Sequence, residues 1–313
     1  MILIAPRDGA GADGQAGRDP VAATVGGEPI EAGEVARLVK TAVRDQKVSP
    51  AALPVLQAQV LAEIVDRRLV LAYARRNEEY PADEQLDAAA AALKARLVAE
   101  GRTLDDYLRE QSFSEADLRR QLAWGLVWDK YLARYVTDQR AAAYFAAHRR
   151  EFDGTELAVS HILLRPSPGA DRAAWGELIK QTAAIRRSIL AGEISFAEAA
   201  RKNSAGPSGK EGGRLGLIPR RGVMDEAFSR AAFALDVGQV SEPVVTPFGV
   251  HLIRCDAVRP GTKQLADVRK ELDDALAREL LAKIVRLEQR RTPVLYTGKS
   301  PYFRPGTREM VAP

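Results

Sequence analysis

The sequence predicts an α+β protein in which a small antiparallel sheet module is inserted in, or appended to, a helical domain. Apolar residues recur every three or four positions from residue 31 to about residue 150, which is the spacing of amphipathic helices. Between residues 156 and 165 the pattern changes to alternation, which is typical of a strand. The length of 313 residues is sufficient for about two domains of ordinary size.

The composition argues against several classes of protein and site. Hydrophobic residues make up 46% and charged residues 28% of the chain, as in ordinary globular proteins. The net charge is +4 with both signs interspersed, whereas nucleic-acid binders usually cluster their basic residues. A single cysteine, Cys255, and three histidines predict neither an intramolecular disulfide nor a metal site. We therefore expect no metal and no nucleic-acid partner.

The beginning of the chain predicts a flexible lead followed by a strand. Residues 1–20 are rich in Gly and Asp without periodicity. They lack the basic region and the long apolar run of a signal peptide, and no stretch of about 18 apolar residues predicts a transmembrane helix. Residues 21–25 then alternate, and Gly26-Gly27 predicts a reversal.

The helical region is clearest at residues 53–76, where apolar positions recur with helical spacing. Thr103 and Ser114 are N-cap candidates for later helices. The helix after Ser114 carries an aromatic stripe of Trp124, Trp128 and Tyr131. This stripe has two interpretations: packing between helices, which we favour, or an apolar groove for unfolded polypeptides.

Residues 155–260 predict a compact α+β module. The expected order is a strand at 156–165, helices at 172–191 and 196–203, a Gly-rich loop at 204–213, a strand at 213–218, a helix at 224–234, and strands at 243–246 and 250–259.

The remainder of the chain predicts a return to the helical domain. Residues 264–291 carry one apolar helical face. Residues 292–297 read as a strand, which we expect to pair with the strand at 21–25. Residues 298–313 are expected to be an irregular tail. Pairing of the strands at 292–297 and 21–25 would make the α+β module an insertion in the helical domain.

Five stretches of the module carry a resemblance to a known family. They are AVSHILLR at 158–165, GGRLG at 212–216 with GVMDEAF at 222–228, AFALDVGQVSEPV at 232–244, and FGVHLI at 248–253. In order and spacing they resemble the parvulin family of peptidyl-prolyl cis-trans isomerases. The resemblance implies a parvulin-like fold, an antiparallel sheet with surrounding helices, and an enzyme that rotates X–Pro bonds without a cofactor.

The resemblance also implies a proline-binding socket. Its walls would be Leu215, Met224 and Phe228, with Phe248 as a further wall. Met224 and Phe228 are four residues apart, so both would project from one face of the predicted helix. Plain core packing is the competing interpretation for both side chains.

The resemblance further pairs His161 with His251 beneath the socket, with Thr246 as a third member of a hydrogen-bonded set. Two roles stay open for these residues. They are either catalytic, or a structural polar network between strands, because the rotation moves no proton.

The sequence departs from the family pattern at Gly206, where parvulins usually carry Cys or Asp. The polar group facing the twisting carbonyl is then missing, unless Ser204 or Ser208 substitutes. Activity could be reduced as a result. Asp225, beside the socket, is either a neutral surface acid or a bias against acidic clients.

Two further features near the predicted site have simple interpretations. Arg220 and Arg221 are interpreted as a solvated turn. Cys255 is expected to be a small buried residue and not a nucleophile.

The flanks resemble the chaperone region of SurA- and PrsA-type bacterial foldases. This implies a helical chaperone domain at 21–153, the isomerase domain at 154–260, a returning helix and strand at 261–297, and a tail at 298–313. The expected function is a foldase acting on unfolded or nascent exported polypeptides. The alternative is a holding chaperone that has lost catalysis. The resemblance implies an extracytoplasmic, periplasmic location, whereas the lack of a visible signal peptide leaves a cytoplasmic location open. The oligomeric state also stays open.

Overall fold

The computed structural model describes residues 19–43, 49–50, 52–111, 113–167, 169, 171–307 and 309–312. The expected flexible lead therefore lies, up to residue 18, outside the described residues. The chain divides into two compact units. The helical unit comprises the described residues up to Thr137 and from Leu276 onward, and the sheet unit comprises Asp138–Ala275. In chain order the sheet unit is an insertion in the helical unit.

The elements follow one another along the chain with short connections. The first half contains β1 (Val21–Val25), β2 (Glu28–Glu31), α1 (Ala32–Val43), α2 (Leu53–Arg76), α3 (Asp83–Ala99), α4 (Leu104–Gln111), α5 (Glu115–Tyr135), α6 (Asp138–Ala147) and α7 (Arg149–Phe152). The second half contains β3 (Glu156–Leu164), α8 (Arg172–Leu190), α9 (Phe196–Asn203), β4 (Arg214–Pro219), α10 (Glu226–Phe233), β5 (Val244–Thr246), β6 (Gly249–Arg259), α11 (Arg269–Glu288), β7 (Val294–Tyr296), β8 (Tyr302–Phe303) and β9 (Met310–Val311). Within these described ranges, no helix is long and apolar enough to cross a membrane.

Both predicted N-caps in the helical unit are confirmed. The Ser114 hydroxyl accepts a hydrogen bond from the backbone N–H of Asp117 at 3.1 Å, and the Asp117 carboxylate accepts one from the Ser114 N–H at 2.9 Å. Thr103 and Asp106 make the equivalent exchange at the start of α4. These reciprocal bonds satisfy amide donors that a helix leaves free in its first turn.

A small sheet joins the two stretches of the helical unit. Its strand order is β2-β1-β7, and β7 pairs antiparallel with β1 as the sequence predicts. The expectation of an irregular tail is wrong, because β8 and β9 pair as an antiparallel hairpin. The Tyr302 ring of this hairpin stacks on Tyr296 with ring centroids 4.6 Å apart, so aromatic contact holds the tail against β7.

The core of the helical unit is built around α2. Tyr131 is buried in this core, which confirms the packing interpretation for that residue. Trp124 and Trp128 are only half-buried, and their rings stack at 5.2 Å. The largest fully buried apolar side chains here are Ile30, Val35, Leu61, Leu69 and Leu97.

The sheet unit is a four-stranded antiparallel sheet in the order β4-β3-β6-β5. Successive side chains of a strand point to opposite faces. One face, with Ile162 and Leu252, packs against α8 and α9. The other face, with Val159 and Ile253, packs against α10. Both faces of the two central strands are therefore covered.

Two helices of the sheet unit differ from prediction at their beginnings. The helix expected at 224–234 begins at Glu226, because the Asp225 carboxylate accepts a hydrogen bond from the Ala227 N–H at 2.8 Å and caps it. Met224 therefore precedes the helix and does not share a helical face with Phe228. The helix expected at 264–291 opens with a 3-10 turn at Leu265–Val268 before α11 begins.

Candidate functional site

The two histidines predicted for the site lie side by side on the central strands. His161 on β3 pairs with Ile253, and His251 on β6 pairs with Leu163. Their Nδ1 atoms are 3.3 Å apart, and their ring planes are inclined by 27°. Both side chains are buried. Strand register therefore brings together two imidazoles that are 90 positions apart.

Thr246 extends this pair into a hydrogen-bonded chain. Its Oγ1 is 2.8 Å from His251 Nε2, whereas its other acceptor, the Gly249 carbonyl, is 3.4 Å away. The hydroxyl has one proton to donate, and the shorter distance assigns it to His251 Nε2. A neutral His251 then donates from Nδ1 to His161 Nδ1. This arrangement leaves the proton of His161 on Nε2.

Both imidazoles are neutral at pH 7. Burial lowers the pKa of His161. Burial, with a smaller effect of the neighbouring His161, lowers the pKa of His251 to about 4 against an opposing effect of Asp225. Removing a cationic imidazole from water is costly, so the pair acts as hydrogen-bonding groups and not as charges.

Phe228 forms an aromatic wall against both histidines. Its ring meets His161 edge-to-face at 5.9 Å and His251 at 5.3 Å. Leu215 and Met224 are half-buried and pack against the same apolar cluster as Phe228. The predicted socket residues are thus neighbours, although Met224 arrives from the loop before α10.

Phe248 lies apart from this cluster. Its side chain is 65% exposed, while its backbone N–H donates to Thr246 Oγ1 at 3.2 Å. The structure links Phe248 to the hydrogen-bonded chain through its backbone, and its ring faces solvent.

Two glycines of the motifs are required by close backbone contacts. A Cβ on Gly249 would lie 2.2 Å from the Leu164 carbonyl, and one on Gly213 would lie 2.3 Å from the His161 carbonyl. Both residues have positive φ, which disfavours other side chains. They hold the Thr246–Phe248 turn and the Gly-rich loop against β3.

Gly206 lies directly beside the histidine pair. A Cβ built on it would be 3.2 Å from His161 Nε2 and 3.5 Å from Ser204 Oγ. The Nε2 atom is buried and has no hydrogen-bond partner within the described part of the chain. Ser204 Oγ accepts bonds from the backbone N–H groups of Leu163 and Gly206. Its hydroxyl oxygen is thus engaged in fixing the loop.

Four further residues complete the account of the predictions. Asp225 is half-exposed and caps α10, a role that neither of its two interpretations included. Arg220 is buried between Glu226 and Glu151, with distances of 2.8–3.1 Å, so its interpretation as a solvated turn is wrong. Arg221 is exposed. Cys255 is fully buried, as predicted.

Over the residues that the structure describes, no group of three or more His, Cys, Asp or Glu side chains is arranged to hold a metal ion. The site consists of neutral hydrogen-bonding groups and apolar walls. Such a site can bind and polarise a neutral group, but it offers no charged nucleophile.

Two family models match the chain. A model described as a PPIC-type PPIASE domain matches residues 161–257, and one described as a SurA-like N-terminal domain matches residues 5–132.

Relatives of three kinds are found. The foldase protein PrsA of Caldanaerobacter subterraneus is 28% identical over 188 residues, covering 58% of this chain and 56% of that protein. Chaperone SurA of a Polaromonas species is 42% identical over 100 residues, covering 32% of this chain and 20% of that protein. Peptidyl-prolyl cis-trans isomerase Pin1 of Malus domestica is 35% identical over 114 residues, covering 32% of this chain and 93% of that protein. The chain thus spans just over half the length of the PrsA relative.

Proposed function

Because the chain belongs, through its sheet unit, to the family of PPIC-type peptidyl-prolyl isomerases, we propose that it catalyses cis/trans rotation of X–Pro bonds in unfolded or nascent polypeptides. This rotation has a barrier of about 18–20 kcal/mol and takes tens to hundreds of seconds without a catalyst. No covalent bond is made or broken. A catalyst therefore needs an apolar seat for the proline ring and polar groups matched to the twisted amide.

The single observation that carries this proposal is the buried neutral histidine pair walled by Phe228. We assign the proline seat to Leu215, Met224 and Phe228, and the exposed ring of Phe248 to the rim. His161, His251 and Thr246 are assigned to the polar base of the seat.

The histidines act in this proposal by orientation and not by proton transfer. Their lowered pKa values keep both rings uncharged, and the rotation requires no proton to move. The hydrogen-bonded chain from Thr246 fixes the tautomer of each ring. The Nε2–H of His161 then stands as a donor beside the Gly-rich loop.

The experiment is two-dimensional NMR exchange on an Ala-Pro peptide with the wild type and the variants His161→Ala, Phe248→Ala and Gly206→Asp. We expect wild type to accelerate exchange and His161→Ala to slow it at least about tenfold, because loss of one positioned hydrogen-bond donor typically slows a reaction by about 10²–10³-fold. Leu190→Ala, an exposed apolar change on α8, is the matched control for Phe248→Ala. Unchanged exchange at high concentration of the wild type would contradict the enzymatic proposal.

A second candidate function is client holding without catalysis, and Gly206 is the observation that favours it. The position beside His161 Nε2 carries no side chain, so a polar group expected from the family pattern is absent. This candidate would be supported if the Gly206→Asp variant accelerated cis/trans exchange of the Ala-Pro peptide and the wild type did not. Exchange by wild type would remove it.

We also propose that the helical unit holds unfolded clients. The half-buried, stacked Trp124 and Trp128 offer apolar surface that the core does not cover. Suppression of aggregation of a heat-unfolded reporter enzyme by the full chain tests this. The His161→Ala variant should protect equally well, which separates holding from rotation.

The proposed clients are exported polypeptides, and the proposed location is extracytoplasmic. The SurA-like match at residues 5–132 supports this assignment. Cell fractionation with antibody detection tests it, and recovery of the protein only with cytoplasmic markers would contradict it.

A further inference from the structure

A cleft in the helical unit is lined by residues of α1, α2 and α5. Its volume is about 60 Å³, which is room for part of a side chain, so a larger ligand would lie across its mouth. The apolar side chains that line it are Leu38, Ile64, Leu71, Phe113 and Trp124. Trp128 stacks on Trp124 with the two rings inclined by only 12°. Trp124 is therefore a rigid aromatic wall.

Charged side chains surround this apolar lining, with arginine in excess. The four arginines are Arg37, Arg67, Arg68 and Arg120, and the two carboxylates are Glu34 and Asp117. The side chains that line the cleft thus carry a net charge of +2. A ligand that complements the cleft must present negative charge together with apolar surface.

The arginines differ in how far they are neutralised. Arg68 is buried and makes two bonds of 3.1–3.2 Å to the Glu34 carboxylate. Arg120 pairs with Asp117, three residues before it on α5. Both are satisfied within the fold.

Arg37 is held more loosely, whereas Arg67 is paired within its own helix. Arg37 lies 3.6 Å from the already paired Asp117, and its buried Nε has no hydrogen-bond partner within the described residues. Arg67 pairs with the exposed Glu63 on its own helix and lies 5.5 Å from the centre of the Trp124 ring. A buried donor without an acceptor is unfavourable, so a carboxylate delivered to Arg37 would be bound favourably.

We propose that this cleft binds an extended segment of an unfolded polypeptide that carries Asp or Glu next to a large apolar side chain. The carboxylate is bound by Arg37, with Arg67 close to it, and the apolar side chain packs on Trp124. A guanidinium suits this role because its planar set of donors matches a carboxylate. The proposal rests on the client-holding function and names the class of client for it.

The test is fluorescence anisotropy of the full chain with a labelled, proline-free peptide of Phe-Asp pairs separated by Gly and Ser. Without proline, this peptide does not depend on the isomerase site. Peptides with Asn or Lys in place of Asp are the comparison. We expect the Asp peptide to bind roughly tenfold more tightly than the Asn peptide, the scale of one charge-assisted hydrogen bond. Its affinity should fall as salt is raised.

Variants assign the binding to the cleft. Arg37→Gln should weaken binding of the Asp peptide roughly tenfold and leave binding of the Asn peptide unchanged. Unchanged binding of the Asn peptide also shows that the variant is folded. Arg67→Gln, at an exposed position, should give a smaller loss in the same direction. Arg119→Gln is the matched control, because Arg119 lies on α5 but pairs with Asp83 and Asp87 outside the cleft.

Two outcomes would overturn the proposal. Equal affinity for the Asp, Asn and Lys peptides would exclude the acidic class of client. Tight binding of the Asp peptide that Arg37→Gln and Arg67→Gln leave unchanged would exclude this cleft. If the full chain protects a reporter from aggregation in either case, client holding stands while the cleft proposal fails.

Discussion

The two compact units use their buried residues in opposite ways. In the sheet unit, Phe228 belongs both to the core and to the wall of the histidine site, and its side chain is 2% exposed. In the helical unit, Arg37 and Arg67 line the cleft, and core residues such as Ile64 and Leu71 supply part of its apolar lining. The whole site thus belongs to the core in the sheet unit, whereas in the helical unit the core supplies only the apolar part of the site and not these two arginines.

This difference has a physical reason in the chemistry proposed for each site. Rotation of a neutral amide requires neutral groups in a dry surrounding, and dry surroundings exist only in the core. Binding of a carboxylate requires cations, which remain near water because their burial is costly. Substitutions in the histidine site should therefore change stability and activity together, whereas those in the cleft should change binding alone.

The largest effect is expected for Phe228→Ala. Truncation of a fully buried Phe leaves a cavity and typically costs 3–5 kcal/mol. We expect the free energy of unfolding of the sheet unit to fall by about that amount, together with loss of exchange on the Ala-Pro peptide. Denaturant unfolding followed by near-ultraviolet circular dichroism measures the first quantity.

The control is Phe248→Ala, whose ring is exposed and should contribute within about 0.5 kcal/mol to stability. If Phe228→Ala lost exchange but kept full stability, core and site would be separable here too. The comparison between the units would then fail.

A smaller effect is expected in the helical unit for Asp66→Asn. Burial, with the nearby Glu63, raises the pKa of Asp66 to about 6, above its unfolded value of about 3.9. The native state then binds more protons between these two values, so wild-type stability falls as pH rises from 4 to 6. Asn at this position should remove that fall. After allowance for partial exposure, the gain at pH 7 should be about 1–2 kcal/mol.

Urea unfolding of wild type and Asp66→Asn at pH 4 and pH 7 measures this gain, with Glu63→Gln as the companion variant. Equal stabilities of wild type and Asp66→Asn at pH 7 would show that the carboxylate carries no penalty in the fold.

The histidine pair should make the stability of the sheet unit depend on pH in the opposite direction to that expected from Asp66. The folded pKa of His251 is about 4, below the unfolded value of about 6.5. The unfolded state therefore binds more protons in this window, and stability falls as pH drops from 6.5 to 4. His251 alone should remove roughly 1 kcal/mol between pH 7 and 5.5.

The exchange rate should not follow the titration of His251 over that range, because that ring stays neutral down to about pH 4. Titration of the ring carbon-bound protons by NMR checks the pKa values, and exchange at pH 7 and 5.5 checks the rate. A rate that falls with a midpoint near 6.5 would indicate an ordinary, solvated histidine in the site.

Much of this site could be predicted because its motifs depend on local backbone geometry. Gly213 and Gly249 must be glycine, since a Cβ on either would meet a neighbouring carbonyl, and such requirements leave fixed spacings in the sequence. The contact between His161 and His251, however, depends on strand register. Only the family resemblance implied it.

The wrong predictions concern residues whose interaction partner, or whose helix or strand boundary, could not be predicted from the neighbouring sequence. The burial of Arg220 depends on Glu151, which is 69 residues away. The hairpin in the tail consists of two-residue strands, too short to show alternation. Asp225 was a missed local signal, because Asp is a preferred N-cap and moves the start of α10 past Met224.

The smallest effect is expected for Gly206→Ala, which tests how tightly the loop covers the histidine pair. The backbone of Gly206, with φ −79° and ψ 153°, is open to any residue, so the added methyl meets only the contact of 3.2 Å with His161 Nε2. Alanine also restricts the unfolded chain, which favours folding by about 0.4–1 kcal/mol. The two effects oppose each other, and the net change in stability should lie within about 0.5 kcal/mol.

The matched control is Gly176→Ala on α8, where an added Cβ meets nothing within 4 Å and should stabilise by about 0.5–1 kcal/mol. We expect the ring signals of His161 to shift in Gly206→Ala and to stay fixed in Gly176→Ala. Identical spectra for both variants would mean that the loop moves away to accept the methyl group. In that case His161 Nε2 would be accessible by loop motion, and the histidine site would be as separable from its surroundings as the arginine cleft.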